Sequence, residues 1–166
     1  MRVLGIDPGT NVCGWGVVEA TRPRSTHLGH GVIRMKGELP GRLAKLCAEI
    51  DAVIGKWSPD VVAVEGVFTH RNARSALILG HSRGVSLLCA ARAGLSVEEY
   101  TPATVKKCVV GNGRAEKRQV QTMVAALLGI PQPKVTDAAD ALAVALCHVQ
   151  NASVAARLQN GLRRSR

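Results

Sequence analysis

The sequence has too few acidic residues to balance its basic ones. Its 166 residues include 22 lysines and arginines but only 12 aspartates and glutamates, which gives a formal net charge of +10. An excess of this size predicts attraction to a polyanion, with nucleic acid the first candidate and acidic lipid the second. Charge alone does not identify a reaction.

The sequence also lacks any apolar run long enough to span a bilayer, and Asp7 interrupts the first apolar run before a signal-peptide core could form. We therefore expect a cytoplasmic protein with no membrane partner. No internal repeat is present. The length fits one domain, which we place at residues 1–155, followed by a basic, disordered tail at 156–166.

Paired cysteine motifs are missing as well. The five cysteines lie far apart, mostly in apolar surroundings, and none forms a C-x-x-C pair. We expect buried, reduced thiols of an intracellular protein, and neither a zinc site nor a disulfide framework. The residues concerned are Cys13, Cys47, Cys89, Cys108 and Cys147.

What the sequence does contain is two apolar runs that each end in a carboxylate. Residues 3–6 stop at Asp7, where Pro8-Gly9 bars a strand from continuing, and residues 61–64 stop at Glu65. A lone strand-end aspartate commonly caps its own turn. Two runs without alternation predict neighbouring strands buried on both faces, so both acids would meet at one edge of the sheet. Their mutual repulsion favours a bound cation.

The remaining pattern predicts an α/β fold in which a mixed five-stranded central sheet is flanked by helices. Further strands are expected at 15–18, 27–35 and 96–100, and helices at 40–57, 75–93, from 102, at 115–128 and at 137–146. The helix at 75–93 is apolar around much of its circumference. We expect it to be buried against the sheet, with Gly80 and Gly84 permitting close packing.

Two further acids, Asp137 and Asp140, lie three residues apart and so share one face of a helix's first turn. They can simply complement the helix macrodipole. Asp140, however, is surrounded by alanines and aliphatic residues and needs a partner. With Asp7 and Glu65 these acids would supply oxygen ligands for Mg²⁺ or Mn²⁺, and the absence of a cysteine and histidine cluster argues against zinc. Two such ions, about 3.5–4 Å apart, catalyse displacement at phosphate.

Motifs along nearly the whole chain resemble those of the RuvC family of Holliday-junction resolvases, which have a ribonuclease-H-like fold. Any one motif is weak, but together and in this order they are highly specific. They are Gly5-Ile6-Asp7-Pro8-Gly9, Glu65 followed by Phe68, residues 72–77 with Gly80 and Arg83-Gly84, Val109-Val110-Gly111 before Ala115-Glu116-Lys117, and residues 137–141.

The resemblance implies a homodimeric, Mg²⁺-dependent endonuclease that binds four-way DNA junctions and nicks two strands symmetrically during recombination and repair. It implies two ions per active site, with Mn²⁺ as a substitute, bound by Asp7, Glu65, Asp137 and Asp140. It also implies cooperation with a branch-migration motor of the RuvA and RuvB type. We expect the helix at 75–93 to form the dimer interface.

The same resemblance assigns roles to basic and aromatic residues. Lys117 matches a lysine at the scissile phosphate, although a solvated position is its alternative. Lys106 matches a second active-site lysine, but the alignment is uncertain by one residue, so Lys107 is the alternative. Phe68 matches an aromatic residue that stacks on an unpaired base, and its alternative is a core position. Contacts to the DNA backbone are expected from Arg71, Arg74, Lys107, Arg114 and Arg118.

Three other functions compete with this one. The segment 7–10 after a strand also resembles the phosphate-binding motif of actin-like ATPases and sugar kinases, but those proteins bind ATP between two such domains. Another ribonuclease-H-like nuclease, acting on RNA or transposon ends, would share the metal chemistry. A non-catalytic architectural protein has no use for four convergent acids, each of which weakens attraction to phosphate.

Overall fold

The computed structural model describes residues 1–21, 24–66 and 73–164, and from residue 154 onward only the course of the backbone. It contains five strands and five helices within these ranges. In chain order they are β1 Arg2–Asp7, β2 Val12–Ala20, β3 Ser25–Arg34, α1 Leu39–Trp57, β4 Val61–Glu65, α2 Ala73–Arg92, β5 Ser96–Tyr100, α3 Pro102–Val110, α4 Lys117–Leu128 and α5 Thr136–Arg164.

The five strands form one mixed sheet in the order β3-β2-β1-β4-β5. The meander β1-β2-β3 is antiparallel, whereas β4 and β5 run parallel to β1. The predicted mixed five-stranded sheet is therefore confirmed. Strands β1 and β4 are central neighbours, as expected from their uninterrupted apolar runs.

Helices cover both faces of this sheet. On β1, Val3 packs with α3, α4 and α5, while Leu4 and Ile6 point to the opposite face and pack with α1 and α2. This alternation is the ordinary period of a strand. In β4, Val61 and Ala63 lie on the α5 face of the sheet. By the same period, Asp7 and Glu65 belong to the α5 face.

Local signals explain where the helices near the sheet's edge begin and end. The Thr101 hydroxyl accepts a hydrogen bond of 3.1 Å from the Thr104 backbone amide, which caps α3 ahead of Pro102 at its first turn. Gly111 ends α3 with a φ of +82°, and Gly129 ends α4 with a φ of +63°, values that favour glycine.

Helix α2 differs from the prediction in what it buries. Its buried residues are small, namely Ser82, Ser86, Cys89 and Ala90. The larger side chains of Leu77 and Leu88 are 66% and 55% exposed. The reason is the rotation of the helix about its axis, which turns its small residues towards the sheet. A Cβ at Gly80 or Gly84 would meet nothing within 4 Å, so the close packing expected there is also wrong.

The last two helices also depart from the sequence pattern. Met123 and Leu127 of α4, whose apolar side chains favour burial, are 37% and 39% exposed. Helix α5 continues to Arg164, through most of the segment 156–166 for which a disordered tail is predicted. The physical reason is composition, because alanine, leucine, glutamine and arginine favour helix and no proline interrupts them.

All five cysteines are free thiols, and Cys13, Cys89 and Cys147 are buried. Cys47, Asp51 and Cys89 nevertheless meet between α1 and α2. Their separation in sequence hid this contact. Within the ranges that the structure describes, no helix combines the length and apolar character needed to cross a membrane.

Candidate active site

Asp7 and Glu65 lie side by side at the end of the two central strands. The parallel register pairs Ile6 with Val64, so the acids one position further on are also neighbours. Both side chains are half-buried and point to the face covered by α5. Their carboxyl groups are hydrogen-bonded to each other. Two carboxyls in such contact must share a proton unless a cation lies between them.

Two glycines of the sheet allow α5 to bring its acids to this pair. A Cβ at Gly14, the partner of Asp7 on β2, would lie 1.9 Å from the Asp137 carbonyl oxygen. A Cβ at Gly5 would lie 2.1 Å from the Ala141 carbonyl oxygen. Any larger residue would push the helix away. Gly14 lies within β2, which begins earlier than the predicted strand at 15–18, and its importance depends on a contact that sequence spacing does not show.

The electrostatics of Asp7 reflect this crowding. Burial, followed by the negative charges of Glu65 and Asp140 and a smaller effect of Asp137, raises the pKa of Asp7 to about 8. In the absence of a metal, Asp7 is therefore the member of the pair that retains a proton near neutral pH. A cation bound here would release that proton.

Two lysines oppose the charge of the other acids. The Nζ atom of Lys117 lies 2.6 Å from Asp140 Oδ2. Burial raises the pKa of Asp140, and the hydrogen bond and positive charge of Lys117 counteract part of this rise. Burial likewise raises the pKa of Glu65, whereas the charges of Lys117 and Lys106 lower it. The site is thus a set of partly neutralised acids that still has an excess of negative charge.

These groups line a pocket of about 240 Å³. Its polar walls are Glu65, Asp140, Lys106 and Lys117, and its apolar walls come from α3, α4 and α5. Acids and lysines facing one small space suit a phosphate group approached through metal ions, because the cations neutralise the acids while the lysines contact the phosphate oxygens.

The structure distinguishes the two adjacent lysines of α3. Lys106 lines the pocket with the acids, whereas Lys107 is exposed and lines a separate pocket of about 630 Å³ beside Cys108 and Asn151. The difference arises because the cap at Thr101 fixes where α3 begins and therefore which side of the helix each lysine occupies. Sequence alone left this choice open.

The predicted DNA-contacting residues are only partly visible. Phe68 and Arg71 lie outside the described residues. Arg74 is exposed in the first turn of α2, and Arg114 and Arg118 are exposed on either side of the start of α4. None of these arginines is among the pocket-lining residues.

One contact near the acids escaped sequence reasoning altogether. Tyr100 of β5 is the register partner of Glu65, and its hydroxyl lies 2.8 Å from Nδ1 of the buried His148 on α5. This hydrogen bond joins the sheet edge next to Glu65 to the helix that bears Asp140. Neither residue belongs to a recognisable motif.

The donor set fits a hard divalent cation. Asp7, Glu65, Asp137 and Asp140 offer only carboxylate oxygens, the ligand type that Mg²⁺ and Mn²⁺ prefer. The charges of Asp140 and Asp137 both raise the pKa of Asp7, so the acids of α5 lie within the range of electrostatic interaction with it. A bound cation would reduce the repulsion between the proton-sharing pair and the two further acids.

Comparison with known proteins supports this view of the fold. A family model described as "Crossover junction endodeoxyribonuclease RuvC" matches residues 3–148. A curated protein of that description from Myxococcus xanthus is 52% identical over 170 residues, covering 99% of this chain and 89% of the relative. One from Pelobacter propionicus is 49% identical over 153 residues, covering 91% and 87%.

A solved structure extends the comparison to three dimensions. Thermus thermophilus RuvC in complex with a Holliday junction substrate superposes with a TM-score of 0.89 at 34% identity, covering 93% of this chain and 96% of that one. The match confirms the predicted ribonuclease-H-like fold. The chain belongs to the RuvC family of crossover junction endodeoxyribonucleases, which hydrolyse phosphodiester bonds.

Proposed function

We propose that this protein is a Mg²⁺-dependent endonuclease that resolves four-way DNA junctions by symmetric paired nicks. The observation on which this depends most is the meeting of Glu65 and Asp140 with Lys106 and Lys117 around one small pocket, with Asp7 beside Glu65 at the end of the neighbouring strand. Family membership supports the substrate, because a relative of this fold is seen with a Holliday junction. The net charge of +10 suits a polyanion of this size.

The catalytic role of the acids is to bind two divalent ions. Asp7, Glu65, Asp137 and Asp140 would hold Mg²⁺, or Mn²⁺ in its place, and the bound ions would supply an activated water and stabilisation of the leaving oxygen. Asp7 loses its proton when the site is loaded, because its pKa of about 8 belongs to the metal-free state. Lys117 and Lys106 then contact the oxygens of the scissile phosphate.

Residues outside the pocket would position the junction. Arg74, Lys107, Arg114 and Arg118 are exposed, and we assign them to backbone phosphates, together with Arg71. Phe68 stacks on an unpaired base near the crossover. If Arg74→Ala left the salt dependence of junction binding unchanged, its assignment would be wrong.

A symmetric junction that needs two nicks is matched by a two-fold dimer. We assign the interface to the outer face of α2, where Leu77 and Leu88 are 66% and 55% exposed. They border a groove of about 800 Å³ that Leu43 of α1 also lines. Burying such side chains against a second copy would remove them from water. In the cell we place the protein in the cytoplasm, acting in recombination and repair with a branch-migration motor of the RuvA and RuvB type.

The experiment uses a synthetic junction with immobile arms and a short homologous core, with and without Mg²⁺. We expect paired symmetric nicks that require the ion. Asp7→Asn should abolish them while junction binding persists, and Glu49→Gln, which changes an exposed acid of α1, should leave them intact. Preferred cutting of an RNA–DNA hybrid would favour the alternative nuclease function. Tight binding without cleavage under any divalent ion would contradict the proposal.

A further inference from the structure

A second group of ligand atoms lies on the opposite side of the sheet from the acids. Cys47 and Asp51 of α1 and Cys89 of α2 each offer one atom, and these atoms lie within 4.8 Å of one another. The two Sγ atoms are 3.4 Å apart, and Cys47 Sγ is 3.8 Å from Asp51 Oδ2. Cys47 and Asp51 are four residues apart and so share one face of α1.

These distances resemble the edges of a tetrahedral zinc site. Bond lengths of about 2.3 Å to sulfur and about 2.1 Å to oxygen place two sulfur ligands about 3.8 Å apart, and a sulfur and an oxygen ligand about 3.6 Å apart. The observed separations of 3.4 and 3.8 Å need only small side-chain adjustments to match. Two thiolates with a carboxylate are a donor set that zinc accepts and Mg²⁺ does not.

We propose that Cys47, Asp51 and Cys89 form a binding site for zinc or a similar thiophilic divalent ion, with water as the fourth ligand. The side chain of Asp51 is 39% exposed, which leaves the ion a path from solvent. Cys89 is buried and closes the inner side.

The charges around the cluster are consistent with such an ion. Arg92 Nη1 lies 3.5 Å from Asp51 Oδ2 and 3.5 Å from Cys47 Sγ. Two thiolates and one carboxylate carry three negative charges, which a divalent ion and this guanidinium balance. Without a metal, burial and the hydrogen bond with Cys47 raise the pKa of Cys89 to about 12, so an ion must displace its proton.

A metal here would add to the anchorage of α2, whose larger side chains Val85 and Leu87 pack against the core while only partly buried. The residues that α2 buries are serines, a cysteine and an alanine, whose burial contributes less than that of large apolar side chains. A metal bridge from α1 to α2 would fix the walls of the groove that Leu43 and Leu88 line. This consequence for dimerisation depends on the proposed function, but metal binding itself does not.

A second cysteine pair provides a matched control. The Asn151 amide nitrogen lies 3.6 Å from Cys108 Sγ and 3.4 Å from Cys147 Sγ, on the α5 side of the sheet. Here a neutral amide takes the place that the Asp51 carboxylate has in the proposed site. An amide that donates to sulfur does not complete a zinc site.

The test uses Co²⁺ as the probe, added to chelator-treated, reduced protein in excess Mg²⁺, which occupies the carboxylate site. We expect one Co²⁺ per chain, with a sulfur-to-cobalt charge-transfer band that zinc abolishes. Cys89→Ser should remove the band, Asp51→Asn should weaken binding at least roughly tenfold, and Cys108→Ser should leave both unchanged. Single nicking of the junction by Asp51→Asn should remain at the normal rate because each chain keeps its own acids, which separates this site from the nuclease.

Thermal unfolding gives a second measurement. Zinc should raise the melting temperature of the unmodified protein and of Cys108→Ser, but not that of Cys89→Ser. Because Asp51 is partly exposed, Asp51→Asn remains informative should Cys89→Ser fold poorly. Absence of the charge-transfer band, or its persistence in Cys89→Ser, would overturn the proposal. A third outcome would also overturn the proposal. In it, no metal binds and Cys47 and Cys89 oxidise to a disulfide equally fast in the unmodified protein and in Asp51→Asn.

Discussion

Lys117 Nζ lies 2.6 Å from Asp140 Oδ2, so a lysine of α4 forms an ion pair with one of the acids assigned to metal binding. Although partial burial disfavours its charge, the hydrogen bond and negative charge of Asp140 raise the pKa of Lys117. The lysine is therefore charged at any pH at which the enzyme would act. It would compete with a divalent ion for Asp140, and it lines the pocket in which the proposed function places the scissile phosphate.

This double position makes Lys117→Ala informative. We expect cleavage at saturating junction and Mg²⁺ to fall by roughly 10²-fold, as for loss of a positioned catalytic group. The Mg²⁺ concentration for half-maximal cleavage should fall as well, because a competing cation has been removed. Arg118 is exposed and adjacent to Lys117 in sequence, so Arg118→Ala controls for the loss of one positive charge. It should keep the normal maximal rate of cleavage. An unchanged maximal rate in Lys117→Ala would exclude the catalytic role.

The adjacent lysines of α3 give a second prediction. Lys106 faces Glu65 and Asp140, whereas Lys107 lines another pocket. Lys106→Ala should therefore lower the cleavage rate of bound junction, with little effect on its dissociation constant. Lys107→Ala should instead weaken binding and reduce its dependence on salt by about one phosphate contact. Single-turnover cleavage with binding measured across a salt series distinguishes them, and the reverse pattern would contradict the register seen here.

Gly14 tests how the site is assembled. A methyl group at this position would lie 1.9 Å from the Asp137 carbonyl oxygen, so Gly14→Ala must displace the start of α5. We expect a loss of about 1–3 kcal/mol in stability and a larger loss of cleavage than this destabilisation explains. Gly55→Ala is the control, because a Cβ there meets nothing within 4 Å in the exposed part of α1. It should stabilise the protein by about 0.5–1 kcal/mol. Equal activity in both variants would contradict the argument.

Asp7 predicts a dependence of stability on pH in metal-free protein. Its pKa of about 8 in the folded state lies above the value near 3.9 of an unfolded chain. The folded state thus binds the proton more tightly, and the contribution of Asp7 to stability is lost as pH rises from about 4 to about 8. In chelator, Asp7→Asn should unfold at a higher temperature than the unmodified protein at pH 8, by roughly 4–8 °C for about 2 kcal/mol, and this difference should narrow towards pH 5.

Magnesium should reverse the order of the melting temperatures of the unmodified protein and Asp7→Asn. The ion requires the ionised carboxylate, so it stabilises the unmodified protein increasingly as pH rises and stabilises Asp7→Asn little. Melting temperatures of both proteins, measured at pH 5 and pH 8 with either chelator or Mg²⁺, test these expectations. A difference between the two proteins that did not change with pH would show that Asp7 ionises normally.

The sequence correctly predicted that Asp7 and Glu65 would meet at one edge of the sheet. Asp7 and Glu65 end apolar strands, and strand parity places both on the face of α5. The contacts that bring α5 down to them depend on Gly5 and Gly14, and sequence alone does not reveal which backbone approaches a glycine. The clustering of Cys47 with Cys89, 42 residues away, was hidden for the same reason.

Helix α2 shows a different limit of sequence reasoning. Hydrophobic residues at positions such as Leu77 and Leu88 predict burial, but the pattern does not say whether the covering surface belongs to the same chain. In the monomer both are exposed, and the residues that α2 buries completely are small. The proposed dimer would bury this face of the helix against a second copy.

This explanation gives the last prediction. Leu88→Glu should weaken the dimer by about 2 kcal/mol, or roughly 30-fold in its dissociation constant, because a charge would enter an apolar interface. Leu127→Glu, at a leucine of α4 that is 39% exposed, is the matched control and should leave the dimer intact. Sedimentation over a range of concentrations measures both. Since each monomer keeps its own acids, the Leu88→Glu protein should still nick junctions singly while losing paired cuts, and a dimer unaffected by Leu88→Glu would place the interface elsewhere.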